Sequence, residues 1–153
     1  MGTERKDENI IIFTIGFTKK SAREFFNTLK ENNVKEIIDI RLNNRTQLAG
    51  FTKKEDLEFF LEAIAGIKYK HVLELAPDKQ LLEDYQKKRI NWEEYEKRFL
   101  RLLKERNIEK LINPEELDRC CFLCSEPKPD KCHRRLVAEY LKSIWSYLEI
   151  THL

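Results

Sequence analysis

The sequence predicts a three-layer α/β fold, a single domain with a mostly parallel sheet of about five strands and helices on both faces. A continuous β-branched and aromatic run, typical of a strand buried on both faces, occupies residues 10–15, and residues 34–40 supply a second buried strand. Segments with apolar residues at helical spacing lie between such runs, so strand and helix alternate along the chain. That alternation is typical of parallel sheets. Because 153 residues suit one domain, we expect a flexible tail at 1–9 and one domain at 10–153.

Capping residues place the helices. Ser21 is a candidate N-cap of the first helix, and Thr52 with Glu55 three residues later forms a capping box for the second. Asn91 is a candidate N-cap that divides a long helical region in two. Apolar spacing predicts the remaining elements: a third strand at 67–73, two helices within 79–106, a fourth strand at 120–124, a helix at 131–143 and a last strand at 147–152.

Composition limits the functional classes. Apolar residues make up 41% and charged residues 37%, as in a globular protein with a heavily charged surface, and the net charge is only +2. A nucleic-acid-binding domain is usually strongly basic, so the composition argues against nucleic acid as a partner. No apolar stretch approaches the about 20 residues of a membrane-spanning helix, and the polar start lacks a signal core. We therefore expect a cytoplasmic protein without a membrane partner.

The segment 120–135 is the strongest chemical signal, because it contains all four cysteines and one of the three histidines. Cys124 ends the fourth predicted strand, and in open α/β sheets ligands bind beyond the carboxyl ends of the strands. Asp130 is a candidate N-cap of the next helix, which would place Cys132 and His133 in its first turn. The unpaired N–H groups and the dipole of a helix start favour a thiolate there.

We interpret this segment as a candidate thiol active site. Cys124 or Cys132 would be the nucleophile; we favour Cys124 slightly because it ends a rigid strand, whereas Cys132 has the better electrostatics. His133 would act as base or orienting partner and Glu126 as acid/base. Arg134 would bind an anionic group of the substrate.

The cysteines also allow other interpretations. Cys120 and Cys121 are predicted to be small core residues. We expect no metal, because the cysteine spacings lack the paired pattern of zinc sites and adjacent helical residues point about 100° apart. A metal site formed by Cys124, Cys132 and His133 is the alternative. A reversible Cys124–Cys132 disulfide is compatible with thiol catalysis.

Polar residues also follow the second and third predicted strands. Asp39 and Arg41 flank the end of the second strand, and Arg41 with Arg45 would clamp a phosphate or carboxylate. A structural ion pair between Asp39 and Arg41 is the alternative. Tyr69 and His71 alternate along the third strand, so both are candidates for the ligand-binding rim, although a histidine on a strand is more often simply hydrogen-bonded.

Several short motifs occur together along the chain. They are Thr14-Ile15-Gly16, Asp39-Ile40-Arg41, Gly50-Phe51, Cys124-Ser125-Glu126, Cys132-His133-Arg134 and Thr151-His152-Leu153. This combination resembles the domain-of-unknown-function 488 family, over nearly the whole domain. Members of that family often have His where this chain has Phe17. The resemblance implies a compact α/β domain, suspected to be enzymatic, and names no substrate.

The main hypothesis is an enzyme with a cysteine nucleophile, a hydrolase or transferase, that acts on a small anionic substrate carrying phosphate or carboxylate. We expect no cofactor. One alternative is a redox- or metal-responsive cysteine sensor, and another is a weak nucleic-acid-associated module. A homodimer is an assembly that the sequence allows.

Overall fold

The sheet is fully parallel. The computed structural model describes residues 9–43, 50–125 and 131–153. Its five strands have the order β3-β2-β4-β1-β5. The strands are β1 (Ile10–Gly16), β2 (Glu36–Asp39), β3 (Lys68–His71), β4 (Cys120–Cys124) and β5 (Leu148–His152). The α-helices are α1 (Ala22–Glu31), α2 (Lys54–Phe60), α3 (Lys79–Gln86), α4 (Trp92–Glu105) and α5 (His133–Ile144). The predicted α/β class with a parallel sheet is confirmed.

Helices cover both faces of this sheet. On one face, α1 and α2 contribute Phe25 and Leu57 to a buried apolar cluster. On the other face, α4 and α5 contribute Phe99 and Leu136 to a second cluster. Among the residues that the structure describes, no helix is both long and apolar enough to cross a membrane.

β4 divides its side chains between the two clusters. Cys121 and Leu123 belong to the cluster under α1 and α2, whereas Cys120, Phe122 and Cys124 belong to the cluster under α4 and α5. Successive side chains of a strand point to opposite faces. Cys124 therefore projects toward the layer that contains α5.

The predicted helix starts are correct for two helices and wrong for a third. The side chains of Ser21 and Asn91 each accept a hydrogen bond from the backbone N–H three residues later, at 3.1 Å and 2.9 Å, so both N-caps are confirmed. Thr52 does not start α2. It lies in a 3₁₀ turn, Gly50–Thr52, and α2 begins at Lys54.

The last long helix also begins two residues later than predicted. The backbone of Cys132 is extended, with φ −139° and ψ 141°, and Cys132 occupies the N-cap position. His133 is therefore the first helical residue of α5. Asp130, the predicted N-cap, lies outside the described residues. Because Cys132 is not helical, the rotation of about 100° between helical neighbours does not separate its side chain from that of His133.

Candidate functional site

Cys124 lies at the point where the order of the sheet reverses. β1 and β4 are neighbours, with Gly16 opposite Cys124 in their register. From β1 the chain passes through α1 to β2 on one side, and from β4 it passes through α5 to β5 on the other side. In open α/β sheets, ligands bind in the crevice at the carboxyl ends of two such strands. The topology therefore places Cys124 at the crevice where a ligand is expected.

The sulfur atoms of Cys124 and Cys132 are joined as a disulfide, which connects the end of β4 to the N-cap of α5. The two Cα atoms are 7.6 Å apart, whereas ordinary disulfides span about 4.4–6.8 Å. Both side chains are buried, with exposed fractions of 1% and 3%, and both residues line a cleft. The fold thus brings together the two thiols that the sequence offers as nucleophiles.

Arg134 places a guanidinium group against both sulfurs. Its side chain is fully buried, and its Nη1 lies 3.3 Å from the Cys124 sulfur and 3.8 Å from the Cys132 sulfur. Its Nε donates to the Thr14 hydroxyl at 3.3 Å. That hydroxyl lies 2.6 Å from Nδ1 of His152 on β5. Because arginine keeps its proton in proteins, this buried positive charge favours a thiolate at either sulfur.

His133 is a neutral imidazole at neutral pH. Its Nε2 lies 2.7 Å from the carbonyl oxygen of Ile40, and since a carbonyl only accepts, Nε2 carries the hydrogen. The pKa of His133 is lowered to about 4, mainly by burial and also by the nearby charge of Arg134, while the hydrogen bond to Ile40 opposes the shift. Nδ1 therefore has a free lone pair. A ring nitrogen of His133 and the sulfurs of Cys124 and Cys132 all lie within 4.8 Å of one another.

A hydrogen-bonded network holds the end of β2. Asp39 accepts from Arg41 Nε and Nη2 at 2.9 Å and 2.8 Å, and both side chains are buried. Arg41 Nη2 also donates to the carbonyl oxygen of Thr52 at 2.8 Å. The Tyr69 hydroxyl donates to Asp39 at 2.6 Å, and His71 Nε2 donates to the carbonyl oxygen of Arg41 at 2.7 Å. Tyr69 thus contacts the ion pair, His71 contacts the backbone of Arg41, and neither lines the cleft beside the cysteines.

A cleft of about 250 Å³ adjoins the two sulfurs. One part of its wall comes from the sheet rim and the start of α5, and the other from α3 and α4. The lining residues with polar or reactive groups are Arg41, Asn43, Gln86, Cys124, Ser125, Lys131, Cys132 and His133, and the apolar and aromatic ones are Leu42, Pro77, Leu82, Tyr85, Trp92 and Tyr95. Arg41 and Cys124 therefore share one cleft, as expected for a parallel sheet.

Comparison with known proteins gives one match. The family model described as "Domain of unknown function DUF488" matches residues 21–141. This range includes β2 to β4 and most of α5.

The chain belongs to the DUF488 family. No curated protein and no solved structure gives a significant match.

Phe17 in this DUF488 chain supports the network at the rim. Its side chain is 2% exposed, and Cζ of Arg41 lies 5.3 Å from the centre of its ring. A guanidinium at this distance from an aromatic face is a cation–π contact. Within the described residues, Nη1 of Arg41 is buried and has no hydrogen-bond partner. Arg41 is thus fixed by Asp39, Thr52 and Phe17, with one amino group left over.

The electrostatic environment of the sulfurs is positive. Besides Arg134, the cleft wall contains Arg41 and Lys131. The pKa of Lys20 is lowered, first by burial and then by repulsion from the guanidinium of Arg134. An anionic ligand or a thiolate is favoured in such surroundings.

The other two cysteines are core residues, as predicted. Cys120 and Cys121 are free thiols with exposed fractions of 1% and 0%. Burial raises the pKa of Cys120 to about 11, with a further contribution from Glu36. Burial also raises the pKa of Cys121. Both thiols are therefore protonated at neutral pH.

Two predicted site residues, Arg45 and Glu126, lie outside the described residues. The aromatic part of the cleft wall was not predicted as part of a site. Trp92 and Tyr95 lie at helical spacing in α4, and such spacing ordinarily indicates the buried face of a helix. The only available signal is their position in the first turn of a helix, and that signal does not indicate a ligand.

Proposed function

We propose that this DUF488 chain is a thiol-dependent hydrolase or transferase that acts on a small anionic substrate. The contact between the buried guanidinium of Arg134 and the Cys124 sulfur, 3.3 Å apart, carries the proposal. Structural cysteines in an apolar core need no such partner, as the free thiols of Cys120 and Cys121 illustrate. A permanently charged donor is instead the arrangement that makes a thiol reactive.

Each residue has a role in this proposal. Cys124 is the nucleophile, because its sulfur lies closer to Arg134 than that of Cys132 does. Cys132 is the resolving thiol, and neutral His133 accepts a proton at Nδ1. Arg41 binds the anionic group of the substrate, since it lines the same cleft as Cys124.

The chemical step is a substitution at the substrate. The Cys124 thiolate forms a bond to the electrophilic atom, and the leaving group departs with the bonding electron pair and takes a proton, for which Glu126 is the proposed donor. Water or a second acceptor then displaces the sulfur, and the thiolate is restored. No net oxidation occurs in this cycle.

The test is a rate measurement on the reduced, full-length protein. Iodoacetamide is added at neutral pH, and the labelled cysteine is identified by peptide mass spectrometry. We expect Cys124 to be labelled first, well before Cys120 and Cys121, whose raised pKa values keep them protonated. Inorganic phosphate should slow this labelling because it competes for the cleft.

The matched controls are the serine variants. Cys124→Ser should remove the fast phase, whereas Cys121→Ser should leave it unchanged. Labelling of Cys124 no faster than that of Cys121, in a protein with wild-type circular dichroism, contradicts the proposal.

A redox-responsive role is the second candidate. It is favoured by one observation, the bond between the sulfurs of Cys124 and Cys132. A sensor would cycle between disulfide and dithiol and change its partner binding, without turnover of a small substrate. A reduced protein whose Cys124 reacts slowly, together with an oxidised form of different protease sensitivity, favours the sensor.

A further inference from the structure

Three potential metal-ligand atoms lie together beside the cleft. Two sulfurs and a ring nitrogen, from Cys124, Cys132 and His133, lie within 4.8 Å of one another. This set is soft and nitrogen-containing, which suits zinc-class cations and excludes magnesium and calcium, since those require oxygen ligands. Two thiolates and one imidazole are also a known ligand set for catalytic zinc, with a fourth position left open.

The orientation of His133 is a second, independent observation. Histidines that bind metals almost always donate their other ring N–H to a carbonyl or carboxylate, which fixes the tautomer. His133 makes this contact, because its Nε2 donates to the carbonyl oxygen of Ile40 at 2.7 Å. The packing of Phe99 against the ring, with centroids 5.6 Å apart, fixes its plane. Nδ1 is thus left as the available ligand atom.

The backbone spacing of the two cysteines is the third observation. Thiolates that share a tetrahedral zinc ion, with Zn–S bonds of about 2.3 Å, lie about 3.8 Å apart. The Cα atoms of Cys124 and Cys132 are 7.6 Å apart, which is wider than the about 4.4–6.8 Å of ordinary disulfides. The reduced pair can therefore separate enough to hold an ion between the sulfurs while β4 and α5 stay in place.

We propose that the reduced form of this chain binds one zinc-class divalent cation through Cys124, Cys132 and His133, with the fourth position facing the cleft. Binding replaces the two thiol protons, which pass to solvent, and no electron is transferred. Arg134 donates hydrogen bonds to the metal-bound sulfurs of Cys124 and Cys132. Disulfide formation consumes both sulfur ligands, so oxidation and metal binding exclude each other. This inference goes beyond the proposed function and does not depend on it.

Cobalt is the probe that tests the site. The full-length protein is reduced with a phosphine, stripped with a chelator, desalted and titrated with Co²⁺ without oxygen. We expect one Co²⁺ per chain, with a thiolate-to-cobalt charge-transfer band in the near ultraviolet and the intense visible bands of tetrahedral coordination. Zn²⁺ should displace it. A weak octahedral spectrum without a thiolate band overturns the proposal.

Variants assign the ligands. Cys132→Ser should abolish the charge-transfer band or halve it. His133→Gln should weaken binding by at least about tenfold, because even the loss of an outer-shell partner typically costs about 10–100-fold in metal affinity. Cys121→Ser is the matched control and should bind like the wild type, because Cys121 belongs to the opposite face of the sheet. Undiminished binding by folded Cys132→Ser or His133→Gln protein overturns the assignment.

A wild-type measurement keeps the test independent of variant folding. Zn²⁺ should protect Cys124 from iodoacetamide, and the oxidised protein should bind no Co²⁺. If the metal-free protein shows fast labelling of Cys124 but no cobalt band, the metal site fails and the proposed enzyme stands. If cobalt binds but Cys124 reacts no faster than Cys121 in the metal-free protein, the enzyme fails and the metal site stands.

Discussion

At the scale of residues, the contact between Arg134 and the sulfurs of Cys124 and Cys132 determines the electrostatic surroundings of the two sulfurs. A guanidinium buried in an apolar layer remains charged, and a charge in such a place needs close partners. Arg134 contacts the Thr14 hydroxyl and the sulfurs of Cys124 and Cys132. A thiolate at either cysteine compensates the positive charge of Arg134 better than a thiol or a disulfide does. Arg134 therefore favours the reduced, ionised form of the pair.

Replacement of Arg134 tests this role directly. A hydrogen bond to a charged group contributes about 1.5–3 kcal/mol, so Arg134→Gln should slow alkylation of Cys124 at neutral pH by about tenfold or more. Arg135→Gln is the matched control, because Arg135 pairs with Glu96 and Glu139 and not with the sulfurs. Equal rates for both folded variants would show that the guanidinium does not activate the thiol.

His133 predicts a pH dependence of stability. Its folded pKa is about 4, below the ordinary value of 6.5, so between these values the unfolded chain binds a proton that the folded chain does not. The free energy of unfolding should therefore be fully maintained above pH 6.5 and fall as the pH decreases toward 4. Urea titrations with chelator present measure this slope. His133→Gln should flatten it, whereas His71→Gln should leave it in place; an unchanged slope in His133→Gln contradicts the assignment.

At the scale of elements, the carboxyl end of β2 is held by a buried ion pair that also fixes part of the cleft wall. Asp39 ends the strand and Arg41 turns back onto it, while Thr52 and Tyr69 bring the segment before α2 and the strand β3 into the same network. The network joins three elements at the rim where Cys124 lies. Its polar groups are satisfied mainly by one another, so the loss of one member leaves another uncompensated.

Breaking this pair should destabilise the protein strongly. Arg41→Gln leaves the carboxylate of Asp39 buried without its cation, and we expect the free energy of unfolding to fall by about 3–5 kcal/mol. Arg98, which is partly exposed and pairs with both Glu94 and Asp84, is the control, and Arg98→Gln should cost at most about 1 kcal/mol per pair. Urea denaturation measures the free energy of unfolding of both variants. A similar decrease in the two variants would contradict the interpretation that the buried network stabilises the fold.

At the scale of the whole molecule, β4 is a central strand that contributes to both cores. It lies between β1 and β2, all five of its side chains are buried, and it contributes to the clusters on both faces. A defect in β4 should therefore loosen both layers together. This expectation agrees with the predicted single domain at 10–153.

Phe122→Ala tests that dependence. Phe122 is fully buried, and truncation of a buried phenylalanine costs about 3–5 kcal/mol. Tryptophan fluorescence and far-ultraviolet circular dichroism should report one shared urea transition, shifted to lower urea in the variant. Two separated transitions would show that the two layers unfold independently.

The sequence predicted the strands better than their arrangement. Buried runs such as that before Gly16 indicate strands because β-branched residues and double-sided burial leave a local pattern. The insertion of β4 between β1 and β2 leaves no such pattern, since it depends on contacts between distant segments. The third strand was likewise predicted as 67–73 and is Lys68–His71, because a 3₁₀ turn follows at Leu73–Leu75.

The site was predicted in part for the same reason. Cys124, Cys132 and His133 meet because the thiol-rich segment is local in sequence. Arg134 and Thr14 are 120 residues apart in the sequence, so no local sequence pattern predicts their contact. The extended backbone of Cys132 was missed because the segment before α5 contains a residue, Asp130, that would be a good N-cap.

Successive side chains of β4 point to opposite faces of the sheet. The effect of an insertion or deletion in this strand on the proposed thiol site therefore depends on whether the number of residues is even or odd. Leu123 points into the layer of α1 and α2, and Cys124 points toward α5. A deletion or insertion of one residue within this strand would exchange the faces to which these two side chains point. The leucine side chain would then face Arg134, and the cysteine sulfur would lie on the opposite face of the sheet. A deletion or insertion of two residues would return each side chain to its original face. For β4, whether the change in length is even or odd therefore matters more than the length itself.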